Sequence, residues 1–146
     1  MGDATFAKGR HNLNVTPENI TELKPGEIFV FGSNYPRGRH GLGAAKLARE
    51  KFGAQEGVGL GRTGSCYAIP TKDQWIETLP LEQIAWYIQS FLQYAAEHPE
   101  LKFLVTAIGC GLASLNPWQI APLFFAHPIP ANVSLPASFW KIKETP

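Results

Sequence analysis

Apolar residues in this chain come in short runs whose period changes along its length. Glu27-Ile28-Phe29-Val30-Phe31 is almost continuously aromatic or β-branched, the pattern of a strand covered on both faces. Gly32 is expected to stop that strand and open a loop from Ser33 to Gly43. From Leu42 the period lengthens: Ala45, Leu47, Ala48 and Phe52 recur at roughly helical spacing, Lys46, Arg49, Glu50 and Lys51 take the other side, and Gly53 closes the pattern. Ser65-Cys66-Tyr67-Ala68-Ile69-Pro70 reads as a second short strand, with Gly57, Gly59, Gly61 and Gly64 before it.

The longest periodic stretch follows. Leu81, Ile84, Ala85, Ile88, Phe91, Leu92 and Ala95 repeat at three and four residues, with Pro80 and Glu82 where a missing N–H and a negative charge suit a helix start. Leu101 to Ile108 predicts another buried strand, running into Gly109-Cys110-Gly111. Asn116 and Pro117 open a shorter helix, Trp118 to Ala126, with Pro122 an expected kink. Thr16 to Asn19 reads as a turn or one helical turn, and the proline-rich tail as surface coil with one short strand near Val133. Strands alternating with helices predict an α/β sheet with helices on both faces. No repeat or linker divides the chain, so residues 1–146 are read as a single domain with a core at about 19–136 and peripheral ends at 1–18 and 137–146.

Composition narrows the class. The chain has 146 residues, 45% hydrophobic and 17% charged, enough to bury a core and too apolar for a disordered chain. Charged or polar residues interrupt every apolar stretch before the ~20 residues needed to cross a bilayer, and Met1 to Asn14 holds no secretory-type apolar run. Cys66 and Cys110 are far apart, with no CxxC and no nearby histidine cluster, which argues against structural zinc or a disulfide framework. A cytoplasmic, thiol-reduced protein with no metal or cofactor and no membrane partner is expected.

A net charge of +1 conceals an asymmetry. Between Gly32 and Lys72 seven basic residues face two acidic ones, a net +5, which leaves −4 on the rest; nine of the fourteen glycines lie in the same segment. Basic side chains among glycines suit phosphate. Aromatic residues are not interleaved with these charges as stacking platforms for single-stranded nucleic acid would be, so nucleic-acid binding is the weaker reading.

Two glycine-rich loops lie beyond predicted strands, where α/β sheets bind ligands. The first carries Gly32, Ser33, Asn34, Arg37, Gly38, Arg39, His40, Gly41, Leu42 and Gly43. Its glycines allow close backbone approach, and the helix that follows offers free N–H groups and a positive dipole end. The second, Thr106 to Ser114, carries Gly109, Cys110, Gly111, Leu112 and Ala113. It is no Walker A motif, since no GKS or GKT follows, and Ser114 stands where a Rossmann fingerprint has its third glycine.

Together these phrases resemble the macro domain, the ADP-ribose-binding fold. The likeness is nearest to a small macro-like family common in phage and bacterial genomes, with phrases like Phe29-Val30-Phe31-Gly32-Ser33-Asn34, Gly38-Arg39-His40-Gly41-Leu42-Gly43-Ala44-Ala45, Tyr67-Ala68-Ile69-Pro70-Thr71-Lys72-Asp73 and Thr106-Ala107-Ile108-Gly109-Cys110-Gly111-Leu112-Ala113. It spans about Asn19 to Pro136. The resemblance implies a three-layer α/β/α sandwich with a mixed central sheet. It also implies that Asn34 contacts a distal ribose, Gly38 to Gly43 wrap that ribose and its phosphate, and Gly109 to Ala113 hold a diphosphate. Arg37, Arg39 and His40 depart from the small residues typical there, so the ligand's distal end can carry more than a plain ribose. The usual adenine-recognising aspartate has no match.

Individual residues divide between chemistry and support. His40 suits proton transfer or a positioning hydrogen bond, the second being the stronger reading. Cys110 reads as a small buried side chain more readily than as a nucleophile, while Thr71 and Lys72 follow the second strand within reach of the same cleft. The four tryptophans read as core or surface packing. Binding of an ADP-ribose-like nucleotide, as a sensor or sequestering module in NAD-derived signalling, is the expected function. The alternative is an ADP-ribosyl hydrolase in which Asn34 and His40 position substrate and water.

Overall fold

The strand Glu27–Asn34 (β1) is the axis on which the other elements are arranged. In the computed structural model, which describes residues 14–111 and 114–144, β1 is followed by α1 (Gly43–Lys51), β2 (Gly61–Thr63), β3 (Cys66–Lys72), α2 (Leu81–Ala96), β4 (Lys102–Val105), α3 (Pro117–Phe125), β5 (Val133–Ser134) and α4 (Ala137–Lys143). The strands form one mixed sheet in the order β2-β3-β1-β4-β5. β1 is parallel to β3 and β4, β4 is parallel to β5, and only β2 runs antiparallel, against β3.

Alternation along the strands divides the core. Ile28 and Val30 of β1, Tyr67 and Ile69 of β3, and Phe103 and Val105 of β4 join a cluster completed by α2, α3 and α4. Phe29 and Phe31, with Cys66 and Ala68, form a smaller cluster against Ala48 of α1 and Phe52. The result is a three-layer α/β/α sandwich. α2 supplies Ile84, Tyr87, Ile88, Phe91, Leu92 and Ala95 to the larger cluster; each large side chain buried in this way contributes roughly 1.5–3 kcal/mol. α3 starts at a full capping box, in which Asn116 Oδ1 accepts from the Gln119 N–H and Gln119 Oε1 accepts from the Asn116 N–H. The helix continues through Pro122.

The chain leaves β1, crosses one face through α1 to β3, then crosses the other face through α2 to β4 on the far side of β1. The carboxyl ends of β1, β3 and β4 therefore share one edge, at the point where the strand order reverses.

Four elements differ from the sequence pattern. β1 does not stop at Gly32 but runs on to Asn34, with Gly32 paired to Ile69. Glycine serves here as a close-approach residue, since a β-carbon would lie 3.3 Å from Thr71 Oγ1 and 3.5 Å from the Gly109 nitrogen. β4 ends early: Thr106 makes the last ladder bond, its N–H and its hydroxyl both donating to the Val30 carbonyl at 3.1 and 2.8 Å, and the chain then turns, with the Ile108 N–H donating to the Thr106 carbonyl at 2.7 Å. β2 escapes the pattern because Gly61-Arg62-Thr63 has no apolar alternation. The expected surface coil after Pro136 is instead α4, and it is not peripheral: Phe139 and Trp140 are buried in the larger cluster and Trp140 Nε1 donates to the Asn14 carbonyl at 2.8 Å. At the other end Thr16 to Asn19 is irregular and not helical, while Val15 bridges to Leu135. Among the described residues no helix is long and apolar enough to cross a membrane.

Candidate functional site

Asn34 ends β1 in an unusual setting. The β1–β3 ladder slips by one residue between Ser33 and Asn34, just beyond Pro70, which has no N–H to donate. That slip leaves Asn34 only 6% exposed, with Nδ2 donating to the Asp73 carbonyl at 3.4 Å. Behind it stands the 55–59 loop. Ser33 Oγ donates to the Gly59 carbonyl, and a β-carbon on Gly59 would overlap the Asn34 carbonyl oxygen.

The same loop supports the glycine-rich segment before α1. Gly57 N–H donates to the Gly38 carbonyl at 2.7 Å, and a β-carbon on Gly38 would collide with the Val58 carbonyl and the His40 ring. His40 is fully buried. Its Nε2 lies 3.0 Å from the Gln55 carbonyl, and because a carbonyl only accepts, Nε2 carries the hydrogen. Nδ1 is buried without a partner among the described residues, and the ring meets Phe31 edge-on at 5.2 Å. Its main chain is tied as well, with N–H donating to Glu56 Oε1 and the carbonyl accepting from Arg49 Nε, both at 3.0 Å.

A cleft of about 370 Å³ opens between the start of α1 and the loop after β4. Leu42, the N-cap of α1, gives no side-chain cap. The N–H groups of Gly43, Ala44 and Ala45 have no acceptor among the described residues. Across the cleft the 106–111 loop is held by Ile108 N–H to the Thr106 carbonyl, Cys110 N–H to Ala107 and Leu115 N–H to Gly109. Gly109 sits at φ +74, where its missing β-carbon would approach Ile120 and Leu115 to 3.3–3.4 Å. The N–H groups of Ala107, Gly109 and Gly111 likewise lack an acceptor among the described residues. Two sets of main-chain donors thus belong to opposite walls of one cleft, with the positive end of a helix on one side.

Eleven of the residues singled out from sequence line this cleft: Gly32 and Asn34 from β1, Arg39, Gly41, Leu42 and Gly43 from the first loop, Thr71 and Lys72 from β3, and Thr106, Gly109 and Gly111 from the second loop. Arg37 lies next door, in a hollow of about 420 Å³ that shares Asn34, Arg39 and Ile76 with the cleft. Ser33, Gly38 and His40 stand behind the wall as supports. Cys110 packs against the larger core, and burial pushes its thiol up to about 11, which keeps it protonated and a poor nucleophile at neutral pH. Leu112 and Ala113 lie outside the described residues.

Other parts of the site carried no signal in the sequence. Ile76 and Trp75 reach the cleft region on a turn after β3. A second cavity, of about 500 Å³, adjoins the cleft through Ala44, Thr106 and Ala107, and Pro17, Ile20, Phe29, Leu47 and Pro136 give it largely apolar walls. Among the described residues no cluster of three or more His, Cys, Asp or Glu could hold a metal ion. Compared with protein-family models, curated proteins and solved structures, the chain matches none of them.

Proposed function

We propose that the cleft binds ADP-ribose or a related NAD-derived nucleotide, in the manner of a macro-like domain. The observation that carries this reading is the pair of facing donor sets, Gly43 to Ala45 at the start of α1 and Ala107, Gly109 and Gly111 in the loop after β4. A diphosphate has acceptor oxygens on both sides and fits between two such walls. Arg39 and Lys72, on the rim, add positive charge. Asn34, with one amide group at the floor, is suited to orient a ribose hydroxyl, and the apolar cavity beyond Ala44 and Ala107 has room for a base.

Among the described residues no carboxylate lines the cleft, whose charged groups are Arg39 and Lys72, and His40 lies behind the wall with its Nε2 hydrogen committed to a carbonyl. That composition favours a binding module, a sensor or a sequestering protein, over a hydrolase. A thermal-shift titration with ADP-ribose tests it. Ligand that binds only the folded state stabilises it by RT ln(1 + [L]/Kd), about 2.7 kcal/mol at a hundredfold excess over Kd, which is a rise of roughly 5–10 °C for a chain of this size. A melting temperature that stays put up to about 1 mM ADP-ribose, a concentration that would reveal even weak binding, refutes the proposal.

A further inference from the structure

The hollow beside the cleft is built differently from the cleft itself. It is lined by Asn34, Pro36, Arg37, Arg39, Trp75 and Ile76, together with Gln74. Trp75 is 73% exposed, so its indole face is open to a partner. Neither Arg37 nor Arg39 has a carboxylate partner among the described residues.

The turn that carries Trp75 is held firmly. Asp73 Oδ1 accepts from the N–H groups of Trp75 at 2.8 Å and Glu77 at 2.9 Å. Asp73 N–H donates to the Glu77 carbonyl at 2.8 Å, and Ile76 N–H to the Asp73 carbonyl at 3.1 Å. These bonds hold Ile76 at φ +67, a conformation that a β-branched residue adopts only when its surroundings impose it. Ile76 is also 57% exposed at the junction of hollow and cleft. Strain at an exposed apolar residue gives the core nothing; it fixes the shape of a ledge. The Asp73 carboxylate spends one oxygen on two main-chain donors of that ledge.

From this arrangement we propose that the hollow is a second ligand subsite, which takes a planar aromatic ring bearing an anionic group, attached to the distal end of the nucleotide in the cleft. The proposal rests on the nucleotide reading of the cleft and extends it. Asn34 lines both spaces, so a substituent leaving a ribose near Asn34 enters the hollow directly. Two guanidiniums select an anion through paired, charge-assisted hydrogen bonds, and an open indole selects a flat ring. Neither selection applies to a bare ribose.

A matched set of probes tests the subsite: ADP-ribose, NAD and nicotinic acid adenine dinucleotide. The last two have the same size and differ by a carboxamide against a carboxylate on the ring. Calorimetry is expected to give the carboxylate-bearing dinucleotide roughly tenfold tighter binding than NAD, the scale of one charge-assisted hydrogen bond. That ratio falls towards one in Arg37→Gln, and the advantage over ADP-ribose shrinks in Trp75→Ala; both side chains are exposed, so both variants keep the fold. If ADP-ribose binds but the two dinucleotides bind equally, or the ratio survives in Arg37→Gln, the subsite is refuted and the cleft reading stands. If none of the three binds to folded protein, the cleft reading falls and the subsite falls with it.

Discussion

Gly59 and Asn34 meet backbone to backbone: the α-carbon of Gly59 sits so close under the Asn34 carbonyl that a β-carbon would occupy the oxygen's place. The contact joins a loop after α1 to the last residue of the central strand, and Asn34 is the residue that lines both the cleft and the hollow beside it. Glycine at position 59 is therefore a condition for the site's geometry.

Gly59→Ala is expected to lower stability by about 1–3 kcal/mol, the usual cost of forcing atoms into filled space, and to weaken cleft binding because Asn34 must shift. Gly41→Ala is the control: nothing lies within 4 Å of its added carbon, so its stability should stay within about 0.5 kcal/mol of the parent. Urea denaturation of both variants checks the pair. Equal midpoints would show that the Gly59 contact is not a constraint.

His40 supports the loop and does not face the cleft. Replacing it by Ala removes a fully buried ring and leaves the Gln55 carbonyl without its 3.0 Å donor, for an expected loss of about 2–4 kcal/mol from cavity and hydrogen bond together. Chemical denaturation measures this directly. A variant with parental stability but altered ligand turnover would assign His40 to chemistry instead.

The elements around the site differ in how far the sequence reveals them. The run from Ile28 to Phe31 announced a strand covered on both faces, and the fold divides it as expected, with Ile28 and Val30 under one helical layer and Phe29 and Phe31 under the other. The helical period from Leu81 to Ala95 and the Asn116-Pro117 start were equally legible, because local propensity and burial agree there. What was not legible depends on distant partners. His40 is buried by a loop some fifteen residues on, and nothing in its own neighbourhood signals that. Gly32 reads as a strand stop because a glycine needed for close approach and a glycine needed for a turn are the same letter. α4 has seven residues, too few to show a period, and is anchored by Trp140 reaching Asn14 across 126 positions. Trp75 reads from the sequence as core or surface packing, and the Asp73-held turn puts it at the surface, open to solvent.

Alkaline pH should destabilise the fold through β3. Burial pushes the Cys66 thiol and the Tyr67 phenol each up to about 12, whereas an unfolded thiol ionises near about 8.5 and a phenol near about 10. Above those values the unfolded chain has lost protons that the folded chain keeps, so stability is full below about pH 8.5 and declines towards pH 12, by at most about 1.4 kcal/mol per pH unit for each group. Urea midpoints at pH 8, 9.5 and 11 should fall in order, less steeply in Cys66→Ala. A flat profile would contradict the buried, protonated thiol.

Arg39 lies on the rim of the cleft while the facing donors are main-chain groups. Arg39→Gln is therefore expected to weaken ADP-ribose binding severalfold without abolishing it, and to make the remaining affinity less sensitive to salt, since screening acts on the exposed charge and hardly on the amide walls. Titrations at low and high ionic strength separate the two contributions. Complete loss of binding in this variant would mean that the guanidinium, and not the backbone, holds the diphosphate.

Calorimetric titration of ADP-ribose into the parent chain and into Asn34→Ala tests the central claim most directly. The expected result is a single site of roughly micromolar affinity or better in the parent, weakened at least about tenfold in Asn34→Ala by loss of the hydrogen-bonding amide at the cleft floor, with the fold intact by circular dichroism. No heat of binding in the folded parent, or equal affinity in the two proteins, would contradict it.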